Sequence, residues 1–270
     1  MPKFFMTKKY FVIGNPIDHS LSPKLHNTWL KENNIEGSYD KLKLNIDEVE
    51  SFIDSIKSKK IAGCNVTIPF KKTVIPYLDR LSLEAERTQS VNTITFDGNN
   101  LVGHNTDIVG FSKAIGGLNF SMRDKNILIL GAGGVVPSII FSLKKMNVSE
   151  IKVSNRTKQK AEDLKILFKN LKVVKWGDLP DFDVIINATS IGLNNEIMNL
   201  DFSKSGKNKL FYDVIYNPTE TNFLKKGKEL GNMVENGKTM FVYQASEAFK
   251  LWHGISPKIN RETLNLLEND

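Results

Sequence analysis

Cysteine is nearly absent from this chain. Cys64 stands alone, so no internal disulfide is possible, and a reducing compartment is compatible. Histidine is scarce as well: His19, His26, His104 and His253 lie far apart, with no ligand-spaced partner, and no metal site is expected. Arginine occurs only at positions 80, 87, 123, 156 and 261. The formal net charge is +7, but the lysines are scattered and no helix-turn-helix, zinc-finger or RNP-type pattern accompanies them. A nucleic-acid partner is therefore not expected, and the charge reads as solubility plus a mild attraction for anionic small molecules. No apolar run approaches the roughly 20 residues a membrane span requires. The opening stretch MPKFFMTKKYFVIG has no apolar run of signal-peptide length. A cytoplasmic protein without a membrane partner is the expectation. Repeats and low-complexity tracts are missing too. What is present is an ordinary globular composition, 40% hydrophobic and 25% charged, in 270 residues, which suits one large domain or two medium ones.

The chain is organised around Ile127 to Ser138, ILILGAGGVVPS. Ile127 to Leu130 reads as a short buried strand. Gly131, Gly133 and Gly134 follow, and Val135 to Met146 has helical spacing. Strand, glycine turn and helix form the first half of a dinucleotide-binding βαβ unit, whose turn and helix N-terminus receive a pyrophosphate. Pro137 suits a first helical turn, whereas Val136 stands where Gly or Ala would allow closer helix–strand packing. A glycine cluster by itself also fits a plain tight turn. Ile151 to Ser154 is a second short strand, followed by Asn155-Arg156-Thr157 and Lys160. An NAD site tends to carry Asp or Glu there, while cationic groups pair with a 2′-phosphate, so the composition points to NADP. A solvated basic helix start is the plainer explanation of Arg156 and Lys160.

Ahead of this unit, Tyr10 to Ile13 predicts a strand, and Ser22-Pro23 a helix start with Ser22 as N-cap and the helix running from Lys24 to about Asn33. Tyr39 to Leu44 predicts a strand, Ile46 to Ile56 a helix and Ile61 to Val66 a third strand. Asn65-Val66-Thr67-Ile68-Pro69-Phe70-Lys71-Lys72 then brings an amide, a hydroxyl and an ammonium to a strand end, where open α/β sheets place ligands. Lys71 alone would read as a solvated helix-start residue. Asn92 to Phe96 and Leu101-Val102 flank a hairpin turn at Asp97 to Asn100. Asp107 precedes a helix from Ile108 to about Ile115, where the helix dipole alone favours an acid. Beyond Arg156 come a helix to about Phe168, strands near 172–174, 182–187 and 210–214, and Tyr216 to Thr219 as a helix start. Ala188 to Gly192 is built of small residues that suit close approach of a cofactor. Val234 to Met240 reads as a turn, and a long helix runs from about Phe241 to Trp252, with Gln244 polar among apolar neighbours.

In this order the motifs resemble the shikimate dehydrogenase family over nearly the whole chain. They are Gly14-Asn15-Pro16 with Ser20-Leu21-Ser22-Pro23, Asn65-Val66-Thr67 with Pro69-Phe70-Lys71, Val91-Asn92-Thr93, and Asn105-Thr106-Asp107. Gly131-Ala132-Gly133-Gly134, Asn155-Arg156-Thr157, Asn187-Ala188-Thr189-Ser190, and Gln244 with Leu251-Trp252-His253-Gly254 complete the set. The resemblance implies an α/β enzyme of two domains that reversibly reduces the C3 ketone of 3-dehydroshikimate to shikimate with NADPH, in aromatic amino-acid biosynthesis. It implies a discontinuous substrate domain, 1–107 with 238–270, and a Rossmann-type doubly wound NADP domain, 108–237, with the active site between them. It also implies a monomer or homodimer.

Carried over by residue, the family pattern makes Lys71 and Asp107 the catalytic pair. Ser20 and Ser22 would bind the substrate carboxylate, and Asn65, Thr67, Lys71, Asn92, Asp107, Tyr216 and Gln244 the rest of the substrate. Gly131, Ala132, Gly133, Gly134, Val135, Asn155, Arg156, Thr157, Lys160, Thr189, Val214, Gly237 and Met240 would serve NADP(H), the last two near the nicotinamide. Against that pattern, Val136, Pro137 and Thr239 are departures expected to weaken cofactor binding, and Lys160 replaces a common Arg. A quinate/shikimate dehydrogenase preferring NAD is the nearest alternative, disfavoured by Arg156. A non-catalytic NADP-binding regulator is the other, disfavoured by the presence of both Lys71 and Asp107.

Overall fold

Period-two alternation sets up the first sheet. In strand β1 (Lys8–Gly14), Phe11 and Ile13 point to one core cluster, while Tyr10 turns the other way, its ring 5.0 Å from that of Trp252. The computed structural model describes residues 8–267, so the first half of the opening stretch expected to lack a signal peptide, and both ends of the expected first domain, lie outside the described residues. After β1 come α1 (Ser22–Glu32), β2 (Gly37–Lys43), α2 (Val49–Lys57), β3 (Gly63–Val66), β4 (Arg80–Leu81), α3 (Leu83–Thr88), β5 (Thr93–Asp97) and β6 (Asn100–His104). The six strands form one sheet in the order β2-β1-β3-β5-β6-β4. Its β2-β1-β3 half is parallel, and the β5-β6 hairpin is antiparallel.

The next segment holds α4 (Asp107–Gly116), β7 (Asn126–Leu130), α5 (Val136–Lys145), β8 (Glu150–Ser154), α6 (Lys158–Leu167), β9 (Lys172–Val174), β10 (Val184–Asn187), β11 (Leu210–Asp213), α7 (Asn222–Glu229) and β12 (Met233–Glu235). Its sheet is entirely parallel, in the order β12-β11-β10-β7-β8-β9. Counted from β7, this is the 3-2-1-4-5-6 order of the doubly wound dinucleotide fold. Both faces are covered. Ile127 and Ile129 join α4, α5 and α6 in one cluster, whereas Leu128 and Leu130 join Phe211, Phe223 and Leu224 in another. Ile139, Ile140 and Leu143 of α5 are fully buried, each stabilising by about 1.5–3 kcal/mol relative to exposure. α8 (Lys238–His253) and α9 (Arg261–Asn265) end the described chain.

Two compact units result, 1–106 with 244–270 and 107–243. The division therefore falls one residue before the expected boundary at 107/108, because Asp107 opens α4. It falls six residues after the expected boundary at 237/238, because Met240 is buried in the second unit's core. α8 runs through that second division; its later half belongs to the first unit, where Trp252 Nε1 donates to the Ile94 carbonyl at 3.0 Å. A Cβ on Gly63 would stand 2.5 Å from that indole nitrogen, so the close packing of α8 on the sheet requires glycine there.

Several local expectations need correction. Ser22 is not the N-cap of α1: Leu21 holds that place without a side-chain cap bond, and Ser22 N–H instead donates to Ser20 Oγ at 3.4 Å. The helix expected from Ile46 begins as a 3-10 turn, Ile46–Glu48, and only then becomes α2. Ile46 is 69% exposed, so the apolar stripe starts at Val49. Tyr216 to Thr219 does not start a helix; α7 begins at Asn222, with Thr221 Oγ1 accepting from Leu224 N–H. The expected turn at 234–240 holds the end of β12 and the first residues of α8.

α7 yields a stability prediction. A Cβ on Gly227 would lie 2.7–2.9 Å from Phe211, which outweighs the roughly 1 kcal/mol that alanine gains in a helix interior. Gly227→Ala is expected to destabilise by about 1–3 kcal/mol through overpacking, read as a lower thermal midpoint. An unchanged or raised midpoint would contradict the packing described for α7 on β11.

Candidate functional site

In the first unit, β1 and β3 are parallel neighbours, and the candidate residues gather at their carboxyl ends, where an open α/β sheet presents its crevice. Asn65 is the last but one residue of β3 and is buried. Its Nδ2 donates to the Asn92 carbonyl at 3.1 Å and to Thr93 Oγ1 at 2.9 Å. Its Oδ1 accepts from the Tyr39 hydroxyl at 2.6 Å. Both amide protons are therefore used within the chain, and the remaining capacity of Asn65 toward a ligand is an Oδ1 lone pair. Asn92, also buried, donates to Thr106 Oγ1 at 2.9 Å and to Gln244 Oε1 at 3.4 Å, and accepts from Thr106 N–H at 2.7 Å. Asn65, Asn92 and Gln244, far apart in sequence, thus share one hydrogen-bonded network.

Lys71 belongs to the same neighbourhood through its backbone: its carbonyl accepts from Val91 N–H at 2.9 Å, next to Asn92. Its side chain is half-buried. Thr67, half-buried, donates through its N–H to the Ile13 carbonyl at 2.9 Å, which ties the loop after β3 to the end of β1. Ser20 and Ser22 lie at the start of α1, an eleven-residue helix. Two hydroxyls at a helix start, beside the positive end of the helix dipole, are suited to a carboxylate.

In the second unit Asp107 is the first residue of α4 and is buried. Tyr216 is half-buried, its ring stacked on Phe241 at 4.3 Å. The glycine turn separates into two kinds of glycine. Gly131 has φ +109°, and a Cβ there would meet the Ala188 carbonyl oxygen at 2.6 Å, so the fold itself requires it. Gly133 has open space around its would-be Cβ and is exposed. No internal contact explains glycine at that position, whereas a pyrophosphate approaching the backbone would.

Ala132 and Val135 are half-buried, and Gly134 is exposed. Val136 is fully buried in the core cluster beneath α5, so its bulk is taken up on the side of the helix that faces the sheet. At the end of β8, Arg156, Thr157 and Lys160 are exposed, and Asn155 Nδ2 donates to the Thr157 carbonyl at 2.8 Å. Thr157 is the N-cap residue of α6 but makes no side-chain cap bond. These residues fit a phosphorylated dinucleotide: an open glycine, a helix start and a cationic strand end without a carboxylate.

The ends of β10 and β11 carry groups that the sequence reading did not single out as site residues. Asp213 is fully buried. Its Oδ1 accepts from Asn187 Nδ2 and from Ile215 N–H, both at 3.0 Å, and its Oδ2 from Thr221 Oγ1 at 2.6 Å. Burial pushes the Asp213 carboxyl up to about 6, the hydrogen bonds opposing that rise. A raised folded-state value means that this group favours the fold most when protonated. That contribution is lost as pH climbs from about 4 through about 6, leaving a cost of about 3 kcal/mol at neutral pH. Asn187 in turn accepts from Thr189 N–H at 3.1 Å and Thr189 Oγ1 at 2.7 Å. Val214 is half-buried, and Gly237 is buried with its would-be Cβ 2.0 Å from the Val214 carbonyl oxygen. Glycine at 237 thus has an internal reason, and Met240 is buried nearby in sequence. The sequence signal for Asp213 was an acid ending the apolar run of β11.

Among the described residues no group of three or more His, Cys, Asp or Glu is placed to hold a metal ion. No described helix is long and apolar enough to cross a membrane.

Comparison with known proteins matches these two regions separately. Residues 12–94 match the family described as shikimate dehydrogenase substrate binding domain, and residues 113–219 the family described as shikimate / quinate 5-dehydrogenase. A shikimate dehydrogenase (NADP(+)) of Pelagibacter ubique is 53% identical over 264 residues, covering 97% of this chain and 100% of that protein. The crystal structure of shikimate dehydrogenase from Aquifex aeolicus superposes with a TM-score of 0.87 at 34% identity, over 98% of both chains. The Thermus thermophilus shikimate 5-dehydrogenase, solved in complex with NADP(H) and shikimate, gives a TM-score of 0.86 at 30% identity over 97% of both chains. With the glycine turn, the parallel doubly wound sheet and full-length similarity in agreement, the chain belongs to the shikimate dehydrogenase family.

Proposed function

We propose that this chain catalyses the reversible, NADP-dependent reduction of 3-dehydroshikimate to shikimate. The observation that carries the reading is similarity over essentially full length to a shikimate dehydrogenase (NADP(+)) at 53% identity, joined to a cationic rather than acidic end of β8. The first unit serves as the substrate domain and the second as the NADP domain. Ser20, Ser22 and the start of α1 bind the substrate carboxylate, while Asn65, Thr67, Asn92, Tyr216 and Gln244 recognise its ring substituents. The turn from Gly131 to Val135 takes the pyrophosphate, and Asn155, Arg156, Thr157 and Lys160 take the 2′-phosphate end. Thr189, Val214, Gly237 and Met240 serve the nicotinamide end. When bound, NADPH supplies the hydride that reduces the ketone carbon.

Lys71 and Asp107 handle the proton. As the ketone is reduced, negative charge grows on its oxygen; the Lys71 ammonium stabilises that charge and donates the proton, becoming a neutral amine that solvent reprotonates. Asp107 orients the ammonium and the adjacent hydroxyl through its carboxylate. In the oxidative direction each transfer runs backwards. The enzyme works in the cytoplasm, as a monomer or homodimer.

The test is an assay at 340 nm with purified protein, pairing shikimate or quinate with NADP+ or NAD+. The highest kcat/KM is expected for shikimate with NADP+. Equal or better turnover of quinate with NAD+ would replace this reading with the quinate/shikimate alternative, and cofactor binding without any turnover would leave a regulator.

A further inference from the structure

The buried carboxylate of Asp213 has no part in the chemistry above, yet it is held by three donors from different parts of the second unit. A charged group buried with only neutral partners is a standing cost to a fold, and its presence here calls for a use. The geometry points to one. β10 and β11 are parallel neighbours whose carboxyl ends pair Asn187 with Asp213. Beyond those ends the chain turns away in two loops that carry Thr189 and Val214.

We infer that Asp213 is a positioning residue for the nicotinamide end of the cofactor, joining the two loops into one rigid edge through Asn187 and Thr221. This rests on the reading of the second unit as the NADP domain. The Asn187 amide spans both loops: its Nδ2 donates to Asp213 Oδ1 at 3.0 Å and to the Ile191 carbonyl at 3.1 Å, while its Oδ1 receives the Thr189 hydroxyl. On the other side, Asp213 Oδ1 takes the Ile215 N–H and bends the chain immediately after Val214. Ile215 then accepts Gly237 N–H on its carbonyl at 3.0 Å, so the orientation of Asp213 is passed to the start of α8. Thr221 anchors the other carboxylate oxygen and caps α7.

The substitutions separate acceptor geometry from mere bulk. Asp213→Asn keeps an Oδ1 acceptor for Asn187 and Ile215, with its amide facing the Thr221 hydroxyl. Asp213→Ala takes the carboxylate acceptor away from all three donors. In calorimetric titration of the full chain with NADP+, Asp213→Ala is expected to raise Kd about tenfold, and KM for NADP+ in parallel. KM for shikimate should stay within about twofold and Asp213→Asn within about threefold of wild type. A folded Asp213→Ala protein that binds NADP+ like wild type would overturn the inference, as would an Asp213→Asn protein as impaired as the alanine variant. Should Asp213→Ala fail to fold, Thr221→Val removes one of the three donors together with the α7 cap, and Thr221→Ser, which keeps both, serves as its control. An unaltered Kd in Thr221→Val would equally overturn the inference, and a rise of about threefold, restored by Thr221→Ser, is expected. Wild-type protein that binds NADP+ but does not oxidise shikimate would refute the proposed reaction while leaving this comparison of Kd values intact.

Discussion

Replacing Lys71 by alanine is expected to lower kcat for shikimate oxidation by about 10²–10⁴-fold, with KM changed only a few-fold, because a positioned acid or base contributes a factor of that size. On the proposed roles, Asp107→Ala should do the same on a smaller scale, since the lysine would survive without an orienting carboxylate. The informative variant is Lys71→Arg. It keeps the positive charge near the developing alkoxide but cannot exchange a proton at ordinary pH. If proton transfer dominates, arginine will be nearly as poor as alanine; if electrostatic stabilisation dominates, arginine will recover much of the rate. Both alanine variants remaining near wild type in kcat would sink the assignment of the pair. The half-buried setting of Lys71, on a loop whose carbonyl is tied to Val91, makes the outcome readable: loss of the side chain leaves the backbone bonds of that loop in place.

Arg156 carries the second large effect. It is exposed at the end of β8, so its removal should leave stability nearly unchanged while a charge-assisted hydrogen bond to the 2′-phosphate, worth about 1.5–3 kcal/mol, is lost. Arg156→Ala is expected to raise KM for NADP+ by about 10–100-fold and to leave KM for NAD+ almost where it was. Arg156→Glu should go further, repelling the phosphate and offering an acceptor to the ribose hydroxyl of NAD+. Steady-state kinetics with the two cofactors reads this directly. Equal loss with both cofactors would assign Arg156 to something other than phosphate discrimination.

Much of the second unit was legible before any coordinates. The run at 127–130, the glycine turn and the helix after it emerge at β7 and α5 almost residue for residue, because a buried parallel strand and an amphipathic helix announce themselves by local periodicity. Expectations failed where two local signals competed. Ser22 before a helix is a strong N-cap pattern, but Pro23 also fits the second helical position, and the helix takes Ser22 as its first residue. Ile46 shares the spacing of the α2 stripe yet is exposed, since the capping box at Asn45 starts a 3-10 turn with different periodicity. Tyr216 to Thr219 stays non-helical because Asp213 draws Ile215 into a turn and Thr221 supplies the cap further on.

Sequence alone determined β7, α5 and β8, the glycine turn, the basic end of β8 and, through its ordered motifs, the family. Those properties depend on neighbours a few residues away. The tertiary structure decided which polar groups share partners: Asn92 with Gln244, 152 residues apart, and Asp213 with Asn187, 26 apart. It also decided which glycine the fold needs, Gly131, and which it leaves open, Gly133. A hydrogen bond or a steric limit exists only between groups brought within a few ångströms, and sheet order, which is set by burial over the whole chain, controls that proximity.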